Sequence, residues 1–259
     1  MTDIFSFSLN DFILLMLIFF RVAGILFASP VFGSTSVPVI AKVGLSALIT
    51  AMIAPSYHTN TIFPVDVIAL SVIILKEVGI GFLIGFFARL IFTAVQLGGQ
   101  LIGLQMGLGI VSVMDPQTQQ QVSIVAQFEY LIAILLFLAL DGHLWFIRAI
   151  FVSFKTIEIG SFYVSSGVIE LTIKMIGDMF VLGLKVAAPI MGLILCFDTL
   201  LGIFARTVPQ MNVLVLGFPL KIGVGLLGLG MITPYLAFIM QKYFLKLNTD
   251  LDTLLHIFK

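Results

Sequence analysis

The chain has 259 residues, 60% of them hydrophobic and only 10% charged, with a formal net charge of zero and a mean hydropathy of +1.20. Soluble domains run near about 45–50% apolar and about 25% charged, so this composition specifies an integral membrane protein. The neutral balance offers no basic field for nucleic acid, and a single cysteine, Cys196, excludes an intrachain disulfide or a cysteine zinc site.

Asp3 and Asp11 precede the first apolar run with no early Lys or Arg. That is the reverse of a signal-peptide n-region, so the first segment, Phe12 to Ser29, is expected to be retained. It contains Arg21 and ends at Pro30; the turn formers Gly33, Ser34 and Pro38 follow. A second segment runs from Val39 to Ala54 and stops at Pro55. A polar loop closed by Pro64 leads to the longest apolar stretch, Val65 to about Val113. As one helix this stretch would be roughly 70 Å long, against a hydrocarbon core of about 30 Å. It must bend, break or project beyond the bilayer.

Within it, Gly99, Gly103 and Gly107 recur every fourth residue and share one helix face, as do Gly81 and Gly85. Small residues at that spacing let helix backbones approach closely in lipid. The run then breaks at Asp115-Pro116 into the amides of QTQQQ. A fourth apolar segment spans Val122 to Leu140 and ends at Asp141-Gly142-His143; a shorter amphipathic stretch, LWFIRAIFVSF, follows. After a polar connection, Val168 to Phe204 and Val213 to Leu247 form two long apolar arms around ARTVPQMN, the pattern of an antiparallel helical hairpin. Pro189 falls in the first arm, Pro219 and Pro234 in the second, each expected to interrupt or kink its helix. A second glycine group, including Gly223, lies in the last arm, and an amphipathic tail closes the chain. The expected fold is all-α and membrane-integral, with about six long, kinked or broken apolar helices.

Among the charges in or beside the apolar segments, the candidates are Arg21, Lys76 with Glu77, Arg89, Glu129, Lys185, Asp198 and Arg206. Each costs at least about 2.5–3.5 kcal/mol at a helix centre, so each should face protein or water or lie near a boundary. Arg21, Lys76 and Glu77 stand between long apolar runs, and with Arg206 they are the candidates for buried polar or inter-subunit contacts. Gly81, Gly85, Gly99 and Gly223 are the candidates for close helix packing. Metalloprotease, Walker A, nucleophile-elbow and dinucleotide motifs are absent from the sequence, and His58, His143 and His256 are widely separated, so no enzyme, metal or cofactor is expected.

Several of these patterns coincide with one family. RVAGILFASPVFGSTSVP from Arg21, the glycine-rich run ending in Asp115-Pro116, Asp141-Gly142-His143 and the RTVPQMNVLVLGFPLKIGVG block from Arg206 together resemble the FliR family of flagellar and virulence type III export-gate subunits. The likeness runs the whole length in order, and the last block is its most specific part. The resemblance implies a FliP-like N-terminal portion, residues 1–167, fused to a FliQ-like helical hairpin and tail, residues 168–259. It implies a place in the bacterial inner membrane at the flagellar basal body. The implied partners are FliP, FliQ, other membrane proteins of the export apparatus, unfolded export substrates and membrane lipid. It also implies that the region near Gly103–Gln121 plugs the closed channel. The seal is then expected at Gly103, Gly107, Gly109, Ile110, Val111, Val113, Met114, Asp115, Pro116 and Gln117, with Gly107 and Gly109 permitting an irregular apolar loop.

Two other functions fit an apolar helical chain. A secondary transporter would place broken helices around a midplane site. Glu77, Glu129 and Asp198 are the acids available to it, and their spacing forms no identifiable relay. A purely structural subunit would nucleate the complex through the hairpin and leave the Gly107–Asp115 run without a role in secretion.

Overall fold

A computed structural model describes residues 8–57, 63–108, 123–163, 165–207 and 213–257. Among these residues all regular structure is helical: α1 (Leu9–Ala28), α2 (Val39–Ile53) with a 3₁₀ turn at Ala54–Ser56, α3 (Val67–Gln105), α4 (Ile124–Ala139), α5 (Gly142–Thr156), α6 (Ser166–Thr207) and α7 (Val213–Ile257). Five are long and apolar enough to cross a membrane, or six spans if α4 and α5, bent by 66° at Leu140–Asp141, count as one.

Local chemistry sets the boundaries. Ser8 and Asp11 form a reciprocal capping box at the start of α1: the Asp11 N–H donates to Ser8 Oγ at 3.2 Å and the Ser8 N–H donates to Asp11 Oδ2 at 2.9 Å. Gly33 closes the turn after α1, its N–H donating to the Ser29 carbonyl at 2.9 Å. A Cβ there would run into the carbonyls of Phe27 and Ser29, which is why the turn takes glycine. Asp141, at φ 55°, makes the left-handed step between α4 and α5; a short polar side chain tolerates that conformation better than most.

α3 has 39 residues, about 58 Å at 1.5 Å per residue, and is unbroken to Gln105. It ends in a Schellman motif. The Gly107 N–H donates to the Leu104 carbonyl and the Leu108 N–H reaches back to the Gly103 carbonyl, both at 3.0 Å, with Gly107 at φ 84°. α3 thus ends while the sequence is still apolar, because a left-handed glycine follows it.

The three prolines do not interrupt their helices: Pro189 lies inside the 42-residue α6, and Pro219 and Pro234 inside the 45-residue α7. Each proline removes one backbone donor, a loss that neighbouring packing in a long apolar helix can absorb.

The chain parts into two compact units, each discontinuous in sequence. Unit 1 comprises residues 1–89, 141–174 and 246–259; unit 2 comprises 90–140 and 175–245. In unit 1 the buried residues Ile13, Leu17 and Phe63 pack with Leu70, Ile73 and Ile159. α1 and α3 meet almost backbone to backbone. A Cβ at Gly24 would lie 3.0 Å from the Val78 carbonyl oxygen, one at Gly81 would strike the Arg21 carbonyl, and one at Gly85 would lie 2.5 Å from Ala28 Cβ. α2 turns Lys42, Ser46 and Thr50 inward and leaves Ile40, Leu48 and Met52 exposed.

In unit 2 the core joins Ile102, Met106, Val125, Ala187, Ile190, Ile194 and Leu229. Phe92, Phe137 and Phe244 form a mutual aromatic cluster with ring centroids 5.3–5.4 Å apart. α6 and α7 run antiparallel here: Leu193 lies against Gly228, Leu201 against Gly217, and Asp198 pairs with Lys221 at 2.8 Å. Large apolar side chains remain exposed along every long helix, among them Ile40, Ile68, Ile124 and Met231. Faces of that extent exceed the patches a soluble monomer carries and belong against lipid or protein.

Candidate functional site

Two constellations stand out, one in each unit. In unit 1 Arg21 comes from the middle of α1 and Glu77 from α3, and both side chains are fully buried. The Arg21 Nε–H donates to Glu77 Oε2 at 2.5 Å. One terminal nitrogen donates to the Ser153 and Ile157 carbonyls at 3.1 and 3.0 Å, and the other to the Glu158 carbonyl at 3.5 Å. The guanidinium lies 4.5 Å from the centroid of the Phe154 ring. Gly160 completes the arrangement. Its positive φ of 82° lets its N–H donate to Glu77 Oε1 at 2.8 Å while its carbonyl accepts from Lys76 Nζ at 3.1 Å. Two buried charges are thus paired with each other and spent on backbone groups, the condition under which burial of an ion pair is tolerable. The arrangement ties α1 and α3 to the end of α5 and the connection behind it. With every polar atom committed, it is a structural clamp rather than a conduit.

In unit 2 the glycine face of α3 is covered by other parts of the same chain. A Cβ at Gly98 would meet Val186 Cγ1 at 2.8 Å and the Gly183 carbonyl at 3.0 Å on α6. One at Gly99 would fall on Ala126 Cα and lie 2.9 Å from Glu129 Oε2, and one at Gly103 would land on Ser123 Oγ. Gly107 faces the Phe218 ring, whose nearest atom would be 2.8 Å from an added Cβ. Gly107→Ala is therefore expected to destabilise the end of α3 by about 1–2 kcal/mol from the left-handed backbone alone, with a further penalty from displacing Phe218. Chemical-denaturation midpoints of the purified chain in detergent, with and without a companion Phe218→Leu change, measure the two parts.

The residues singled out in the sequence fall as follows. Arg21, Glu77 and Lys76 meet in the clamp, with Lys76 half-buried. Gly81 and Gly85 lie against α1, and Gly99 and Gly103 against α4 and the residue before it. Gly223 faces open space, with no atom within 4 Å of an added Cβ. Arg206, in the last turn of α6, is exposed in the single chain, so of the two roles expected for it the buried one does not hold within this chain. Gly109, Ile110, Val111, Val113, Met114, Asp115, Pro116 and Gln117 lie outside the described residues.

Sequence reasoning passed over Lys42 and Gly160. Lys42 is 7% exposed and donates to the Ser34 carbonyl at 2.8 Å. As the only charge in VIAKVGLSALITAMI it carried a usable signal. Gly160 had none beyond being a glycine in a polar connection.

Several membrane-length helices, packed through glycine contacts and fastened by a buried ion pair, define a polytopic membrane protein. Residues 12–247 match the family described as bacterial export proteins, family 1. The chain is 36% identical to the flagellar biosynthetic protein FliR of Pectobacterium carotovorum, over 83% of this chain and 82% of that protein. It is 34% identical to FliR of Escherichia coli K12, over 84% and 83%, and 31% identical to FliR of Bacillus subtilis 168, over 81% and 82%. The chain belongs to the FliR family of membrane subunits of the flagellar export gate.

Proposed function

We propose that this subunit assembles with FliP and FliQ in the bacterial inner membrane, at the flagellar basal body, and helps form the channel through which unfolded flagellar proteins leave the cell. Within it, residues 1–167 act as a FliP-like portion and residues 168–259 as a FliQ-like hairpin. The segment from Gly103 to Gln117 closes the resting pore. The observation that carries the plug assignment is the end of α3. Gly107 stops the helix by a left-handed turn just before an apolar stretch, Leu108 to Met114, that runs into Asp115-Pro116 and a string of amides. An apolar stretch placed directly after a helix end suits a dewetting seal, since apolar constrictions block ions without a charge barrier. The mostly exposed apolar faces of α6 and α7 supply surface for neighbouring subunits as well as lipid. Arg206 and the Gly223 face, both exposed in the single chain, are offered to such neighbours.

Deleting three residues from Gly107–Val113 in the assembled gate is expected to raise ion conductance across planar bilayers by about an order of magnitude or more. Assembly with the partner subunits, measured by co-purification, should persist. Unchanged conductance in a fully assembled gate would overturn the plug assignment.

A further inference from the structure

The contact between α3 and α4 in unit 2 carries two polar side chains that its own packing leaves unserved. Glu129 is 2% exposed, and among the described residues neither of its carboxyl oxygens has a hydrogen-bond partner. Opposite it stands Gly99, whose absent Cβ would lie 2.9 Å from Oε2. α3 therefore closes over the carboxyl group with a bare Cα and offers it no donor. One turn further along α3, Gly103 closes over Ser123 in the same manner: Ser123 Oγ is buried and, among the described residues, unpartnered, and a Cβ on Gly103 would land on it. Ser123 holds the N-cap position of α4, where a hydroxyl ordinarily accepts from a backbone N–H of the first turn, yet it makes no capping bond. Around these two groups the contact is apolar, with Ile102, Met106 and Val125 in one buried cluster.

Buried polar side chains are nearly always satisfied. One that is not raises the free energy of the packed arrangement relative to any arrangement in which water reaches it. Glycine is what makes the packing dry: a larger residue at 99 or 103 would hold the helices apart and admit solvent. We propose that Glu129 and Ser123, set against Gly99 and Gly103, form a hydration latch between α3 and α4. Closed, the latch keeps both groups dry at a cost; opened by a shift of α4, it lets water pay that cost back. The contact is thereby built to open more readily than an all-apolar one, as expected of elements that must move. The latch goes beyond the channel assignment and does not rest on it, because its signature is local opening of α4 rather than conductance.

The test is hydrogen–deuterium exchange of the amides of residues 124–133 in the full-length chain, purified with its co-complex partners in lipid nanodiscs. Glu129→Met keeps the length of the side chain and removes the unserved oxygens; it is expected to slow exchange about tenfold. Ser123→Ala removes one hydroxyl and no capping bond; it is expected to slow exchange about threefold. A residue whose role is merely to fill space or anchor α4 would give the opposite sign. Unchanged or faster exchange in Glu129→Met overturns the latch. If that variant does not assemble, Ser123→Ala decides by the same criterion.

Discussion

Arg21→Met is expected to destabilise unit 1 by about 3–5 kcal/mol, the usual consequence of leaving one partner of a buried ion pair uncompensated. Glu77 would keep the Gly160 N–H as its donor, but its charge would have no counterpart in a site sealed from solvent. The carbonyls of Ser153, Ile157 and Glu158 would lose their donor at the same time. The molecule carries its own reporter: the single tryptophan, Trp145, sits in α5 (Gly142–Thr156), the helix whose end Arg21 fastens. Denaturation in detergent followed by Trp145 fluorescence should show the midpoint falling sharply in Arg21→Met. The double variant Arg21→Met with Glu77→Met should recover part of the loss, because removing both charges spares the unpaired one its desolvation. Recovery should be incomplete, since the double variant still strands the carbonyls that Arg21 serves. Equal stability of Arg21→Met and the native chain would show that the clamp contributes nothing.

The clamp also shows what a sequence of this kind discloses. Arg21 and Glu77 are conspicuous as charges flanked by apolar runs, and the insertion cost requires each to find company. Nothing local joins them: they are 56 residues apart, and the Gly160 amide that Glu77 also binds lies 83 residues beyond it. Helix positions are far more legible, because their determinants are local. The Ser8–Asp11 capping box, Pro38 before α2 and Pro55 after it, and the Asp141-Gly142 break each act within a turn or two. Where the hydropathy pattern misleads, it does so for a stated reason. Apolarity continues past Gln105 although α3 ends there, and proline content signals interruption while α6 and α7 continue through it. The two spatial units are illegible in the sequence, since α3, α6 and α7 each contribute to both without a change of composition at the boundary.

Glycine spacing is the clearest case of partial legibility, and it carries the other large prediction. A four-residue repeat identifies a smooth face but not what covers it. Gly81 lies in such a repeat with Gly85, and Gly223 in the looser glycine group of the last arm. At Gly81 an added Cβ would strike the Arg21 carbonyl and lie 2.8 Å from the Ile25 amide nitrogen. These are backbone atoms of a packed helix that cannot swing aside. At Gly223 it would meet nothing within 4 Å. Gly81→Val is therefore expected to force α1 and α3 apart and destabilise unit 1 by at least about 1–3 kcal/mol from overpacking. It should also lengthen the nearby Arg21–Glu77 contact, so its effect should be less than additive with Arg21→Met; a double-mutant cycle read by Trp145 fluorescence measures that coupling. Gly223→Ala, by contrast, is expected to leave the isolated chain unchanged or more stable by about 0.5–1 kcal/mol, since alanine is the better helix former. The same alanine should weaken co-purification with partner subunits if the open face of α7 is where another helix approaches. Full retention of partner binding would assign that face to lipid, and an unperturbed Gly81→Val chain would mean that α1 and α3 do not cross as closely as their glycines allow.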